Sequence, residues 1–174
     1  MTFEEVVSFH GHACPGLAIG YRMTQAAMAY LTDQRAEDEE LVAIVENDAC
    51  GVDAVQYISG CTFGKGNLIF RDYGKQVYTF YCRGSGKAVR VVHKRSESEP
   101  AFGDSWHERV EWLLKAPIDE VLELREVHIQ EPERARIRDS VECAFCGERV
   151  MSTRVRQVGA QPACIPCAEE HSSA

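Results

Sequence analysis

Residues 41–94, LVAIVENDACGVDAVQYISGCTFGKGNLIFRDYGKQVYTFYCRGSGKAVRVVHK, decide the fold. The first run, LVAIVE, is short, continuous and β-branched, the pattern of a buried strand. NDACG leads into a helix over VDAVQYIS, and GCTFGKGN follows as a Gly-rich loop. LIFRDYGKQVYTFYCR then predicts two strands around Asp72-Tyr73-Gly74, a hairpin signal, and KAVRVVHK after Gly84-Ser85-Gly86 predicts another strand. Several strands in succession after one helix, without strict βαβ alternation, predict an α+β domain with a mixed sheet.

On the N-terminal side, Phe3 to Phe9 is a short amphipathic segment, HGHACPG a loop, and Leu17 to Leu31 an apolar run. Only Arg22, Gln25 and Thr32 make a polar stripe there, so a largely buried helix is expected. DQRAEDEE reads as a solvated turn. On the C-terminal side, RSESEPAFGDS is a polar loop, and WHERVEWLLK a helix with Val110, Leu113 and Leu114 on one face, stopped by Pro117. VLELREVHI returns to strand, with a phase shift that predicts a bulge or strand end near Arg125-Glu126. The expected organisation is a core over residues 1–130, a charged linker over 131–140 and a finger over 141–174.

The finger rests on Cys143, Cys146, Cys164 and Cys167, spaced C-x2-C-x17-C-x2-C. Each C-x2-C pair folds into a knuckle presenting two thiolates, and two knuckles complete a tetrahedral structural zinc site with no open position. Glu148 to Val158 is expected to form a hairpin between the knuckles and Cys167 to open a terminal helix, as in a treble clef.

Composition bounds the function. A net charge of −8 argues against nucleic acid, whose binding depends on Lys and Arg displacing counterions. From Pro132 onward six arginines meet six acids, so the finger is suited to docking on protein rather than on phosphate. No stretch has the apolar length to span a bilayer, and the opening MTFEEVVSFHGHACPG is acidic where a signal peptide is basic and apolar. The expected location is the cytoplasm, with the thiols outside the finger reduced.

His10, His12 and Cys14 lie within five residues, with a helix opening after Pro15-Gly16. An extended His-x-His-x-Cys places alternate side chains on one side, which suits two imidazoles and a thiolate converging on one ion. Backbone N–H groups at the helix start favour a thiolate, so Cys14 is a candidate nucleophile or metal ligand. Cys50 and Cys61 flank the next helix and stand about 15 Å apart if it is regular, so one ion cannot take both. Cys61, in the Gly-rich loop, is the preferred partner for Cys14. Lys65 attracts an anion, steadies a neighbouring thiolate, or is a solvated surface charge. GCTFGKGN lacks the spacing and the Ser/Thr of a phosphate loop. Cys82 reads as a structural thiol, and His93, His107, His128 and His171 as surface or hydrogen-bonded residues.

SFHGHACPGLAIGYR, DACGVDAVQYISGCTFGKGNLIFRDYGK and ECAFCGERVM…PACIPC together resemble the FmdE family of formylmethanofuran dehydrogenase components, in its two-domain form. The resemblance implies a thioredoxin-like core with a mixed sheet, a C-terminal treble-clef finger and a homodimer. It also implies a core site able to hold zinc, drawn from His10, His12, Cys14, Cys50 and Cys61. Some members of that family are encoded beside the molybdenum or tungsten enzyme that fixes carbon dioxide onto methanofuran, while many occur in bacteria without that pathway.

Two classes of function follow. One is a metal-thiol protein with a zinc site in the core, with Cys14 and Cys61 as reactive groups, serving as accessory to a molybdenum or tungsten oxidoreductase. The other is a non-catalytic dimeric adaptor that docks on partners through its finger. A thiol-disulfide oxidoreductase is disfavoured, because Cys14-Pro15-Gly16-Leu17 lacks the second cysteine of C-x2-C.

Overall fold

The computed structural model describes residues 1–31, 35–103 and 105–172. Thr32 of the expected polar stripe, the start of the acidic turn and Asp104 of the polar loop fall outside them. The chain forms two compact units, Met1–Ala135 and Arg136–Ala174.

The first unit opens with α1 (Phe3–His10), started by a capping box in which the Thr2 and Glu5 side chains satisfy each other's backbone N–H groups. α2 (Pro15–Leu31) follows at once. Then come β1 (Leu41–Val45), α3 (Gly51–Ser59), β2 (Leu68–Phe70), β3 (Val77–Cys82), β4 (Ala88–His93), α4 (Trp106–Lys115), α5 (Ile118–Val121) and β5 (Leu122–Val127). The five strands form one mixed sheet in the order β2-β1-β3-β4-β5, with β1 and β2 parallel and the other neighbours antiparallel.

Two expectations about strands change. The runs around Asp72-Tyr73-Gly74 are not a hairpin: β2 and β3 lie on opposite sides of β1, and the connection passes over the end of β1. Arg71 N donates to the Val45 carbonyl and Lys75 N to that of Glu46. The physical reason lies in β1, whose five residues are all buried, so it is a central strand that needs both neighbours. Of the two readings of the phase shift in VLELREVHI, the bulge is excluded, because β5 pairs with β4 without a break from Leu122–His93 to Val127–Ala88, and the strand end holds, at Val127. Its apolar residues instead serve two faces of the sheet.

Leu17 and Met23 of α2, Leu113 of α4 and Val55 of α3 pack with Leu41, Ala43, Val45, Tyr78, Phe80, Val89 and Val91 on one face. Burying each large side chain contributes about 1.5–3 kcal/mol. The other face carries a smaller cluster of Val42, Tyr81 and Ala88 with Ile69, Val127 and Ile129. Arg22, expected on a polar stripe, reaches the Leu113 and Ala116 carbonyls and satisfies the C-terminal end of α4. Residues 131–133, expected to be linker, lie on this unit, where the buried Arg83 guanidinium donates to Glu131 and to the Pro132 and Glu133 carbonyls.

What positions the site is the approach of α2 to α3. A Cβ on Gly20 would lie 2.3 Å from Gly51 Cα, so the two backbones touch. The helix starts are thereby brought side by side, and a Cβ on Gly16 would lie 3.5 Å from that of Cys50.

The second unit contains β6 (Ser140–Glu142) paired with β7 (Arg149–Met151), β8 (Arg156–Val158) paired with β9 (Gln161–Ala163), and α6 (Ile165–Ser172). Glu148 to Val158 does not fold on itself as expected. The first knuckle is itself the turn of the β6–β7 ladder, with Cys143 N donating to the Glu148 carbonyl, so 149–151 pairs back across it. The terminal helix opens at Ile165, and Cys167 lies inside its first turn with its N–H on Cys164 Sγ.

Candidate functional site

Three ligand-type side chains of the first unit converge. His10, Cys14 and Cys50 bring one imidazole nitrogen and two sulfurs within 4.8 Å of one another. His10 is the last residue of α1, and Cys14 and Cys50 each immediately precede a helix, α2 and α3. Leu17 N–H points at Cys14 Sγ at 3.4 Å, the N-terminal orientation that favours a thiolate. Burial, and after it the neighbouring Cys14, push the Cys50 thiol up. Two adjacent thiols resist losing both protons unless a cation joins them.

The imidazole is held by a residue that stands out in no sequence motif. Asp53 Oδ2 lies 2.7 Å from His10 Nδ1, and Gln56 Nε2 steadies the other carboxylate oxygen at 3.3 Å. His10 Nε2 is buried without a hydrogen-bond partner. A carboxylate on one ring nitrogen fixes the tautomer that leaves the other as a free lone pair, the usual support of a metal-binding histidine. In the sequence Asp53 reads as an ordinary acid in a helix's first turn; the only signal was its place three residues after Cys50.

The expected set is otherwise reduced. His12 is exposed, lies against the His10 ring at a centroid distance of 4.6 Å with the rings tilted by 37°, and does not join the group. Strand-like alternation failed because His10 belongs to a helix rather than to an extended loop. Cys50, not Cys61, is the partner of Cys14. Cys61 follows the C-terminal end of α3 and is fully buried, with its thiol donating to the Leu41 carbonyl at 3.3 Å. Burial pushes it up to about 11, which makes it a poor nucleophile at neutral pH. Lys65 donates to the Ala36 and Glu37 carbonyls, each at 3.2 Å, and ties that segment to the Gly-rich loop, while its charge moderates the rise at Cys61.

In the second unit Cys143, Cys146, Cys164 and Cys167 bring four sulfurs within 4.8 Å of one another, so the cluster can hold a metal. Backbone N–H groups of Cys146 and Cys164 draw the Cys143 thiol down to about 6, whereas the Cys164 sulfur pushes Cys167 up. No helix among the described residues is long and apolar enough to cross a membrane.

Fold and site define an α+β protein with an imidazole-dithiol cluster between two helix starts and a four-cysteine cluster at its C-terminal end. The family model described as "FmdE, Molybdenum formylmethanofuran dehydrogenase operon" matches residues 9–141, and the chain belongs to the FmdE family. The match spans His10, Cys14 and Cys50 and ends before the first finger cysteine. A solved structure of a tungsten formylmethanofuran dehydrogenase FmdE-like protein from Syntrophus aciditrophicus is similar, with 27% identity and a TM-score of 0.68, over 98% of this chain and 94% of that one. A probable S-adenosyl-L-methionine-binding protein of Archaeoglobus fulgidus is 34% identical over 92% of this chain; the chain spans about half, 50%, of that relative's length.

Proposed function

We propose that the chain is a metal-thiol protein in which His10, Cys14 and Cys50 hold zinc in the first unit, while the four finger cysteines hold a second, structural zinc. One observation carries this: His10 Nε2 is buried and unpartnered, its other nitrogen is fixed on Asp53, and two sulfurs lie within 4.8 Å of its ligand atom. Leaving a buried nitrogen unpaired is costly, by about 1–3 kcal/mol. One imidazole and two thiolates are a zinc ligand set found where a fourth position stays open, whereas four thiolates close the sphere. When bound, the core ion supplies Lewis acidity. Asp53 orients the imidazole, and α2 and α3 present the two sulfurs from their positive ends.

At the scale of the cell, the protein serves as a cytoplasmic, homodimeric accessory of a molybdenum or tungsten oxidoreductase, a role supported by the names of its family and of its structural neighbour. The core is thioredoxin-like in this account, its five-stranded mixed sheet carrying helices on one face. The finger is a treble clef, supported by its order of knuckle, ladders, knuckle and helix, and it docks on protein. Cadmium-113 NMR of the cadmium-exchanged full chain tests the metal reading. Two resonances are expected, the more deshielded from four sulfurs, and Cys50→Ser removes only the other. A single resonance that survives Cys50→Ser would favour the non-catalytic adaptor.

A further inference from the structure

A cleft of about 430 Å³ opens directly beside the cluster, with His10, Cys50 and Asp53 in its wall. Val45, Val52 and Leu68 give it an apolar side, and Phe63 and Phe70 stand on it with 75% and 43% of their surfaces exposed. Exposed aromatic rings lining a concave surface are binding elements more than core, since burying them against a ligand removes much apolar area from water. The side-chain amides of the wall are already engaged. Asn47 Nδ2 donates to the Lys75 carbonyl at 2.6 Å, Asn47 Oδ1 accepts from Ala49 N at 3.1 Å, and Gln56 bonds Asp53.

The charge of the wall is one-sided. Asp48 and Asp53 are its carboxylates, and no lysine or arginine lines it among the described residues. A divalent ion with two thiolates and a neutral imidazole is itself neutral, so an occupied cluster leaves those carboxylates uncompensated. An anion entering would lose its hydration with no cationic side chain to meet it, and the positive end of α3, the other group of opposite sign in the wall, already carries Asp53 in its first turn.

We infer that this cleft takes an uncharged or cationic ligand carrying an aromatic or aliphatic arm, with the arm on Phe63 and Phe70, and discriminates against carboxylates and phosphates. The inference deepens the metal reading by naming the class of molecule that would reach the ion, yet the discrimination rests on the wall itself and holds with or without metal.

Three probes sharing one arm test it: benzyl alcohol, benzylamine and phenylacetate, each titrated near neutral pH into the isotope-labelled, zinc-supplemented full chain and followed by amide chemical shifts. The alcohol and the ammonium are expected to give saturable shifts at Val52, Phe63 and Phe70, with dissociation constants at least about tenfold below that of phenylacetate. Phe70→Ala, an exposed position, is expected to weaken both without unfolding the chain, and Asp48→Asn to narrow the gap to phenylacetate. Phenylacetate binding as tightly as benzylamine, or no shifts at these residues with any probe, would overturn the inference. Zinc content measured on the same samples separates the two ideas: two ions per chain without charge discrimination sinks the cleft assignment alone, and discrimination with only the finger's ion sinks the core metal alone.

Discussion

Asp53 does for His10 what no other side chain among the described residues does: it holds Nδ1 and leaves the buried Nε2 without a partner. Asp53→Asn is therefore expected to keep the fold and weaken the core ion by about 10–100-fold, as removing the outer partner of a metal-bound histidine does. Chelator competition on the zinc-loaded chain measures this; an unchanged affinity would leave Asp53 an ordinary acid in the first turn of α3. Cys61 gives a pH prediction. Its pKa rises from 9.0 to about 11 in the fold, so the folded state holds its proton longer than the unfolded state does. The stability it contributes is fully present below pH 9.0 and is lost as pH rises towards about 11, on the order of 2–3 kcal/mol across that window. Denaturant unfolding of the wild type and of Cys61→Ala should converge as pH is raised through it. At this scale the finger cysteines were legible because a spacing of two between thiols has few other uses. Cys14 and His10 could be singled out in the sequence, but His12, grouped with them there, lies outside the three converging atoms and Asp53 was missed, because which side chains converge depends on where α1 stops.

Cys14 and Cys50 meet because α2 and α3 touch at Gly20 and Gly51, a feature of elements rather than of ligands. Gly20→Ala would place a methyl 2.3 Å from the Gly51 backbone, where no flexible side chain can yield. Overpacking of this kind costs about 1–3 kcal/mol or more, and it should also part the helix starts. The expected result is a lower unfolding midpoint together with loss of the core ion, whereas Gly84→Ala, with no atom within 4 Å of the added methyl, should change neither. Gly20→Ala at wild-type stability and metal content would refute the contact. The helices and most strands could be read in the sequence because each has its own period and its own stops. Which strands neighbour one another could not, since that depends on β1 claiming both β2 and β3, and a turn signal at Asp72-Tyr73-Gly74 marks only that the chain bends.

For the whole molecule, an acidic chain with −8 net charge carries two cysteine clusters in two units, one with three ligand atoms beside a cleft and one with four. The four-cysteine unit was legible from sequence alone, and the three-ligand cluster only in outline, because its members come from residues 10, 14 and 50 and meet through packing. The measurement that bears most directly on the account is zinc per chain, by elemental analysis of the 174-residue chain purified without added metal and again after zinc add-back and desalting. Wild type is expected to hold two ions, Cys50→Ser and Cys143→Ser one each, with Cys143→Ser unfolding mainly the second unit. One ion in the wild type after add-back, untouched by Cys50→Ser and lost with Cys143→Ser, would contradict a metal centre at His10, Cys14 and Cys50.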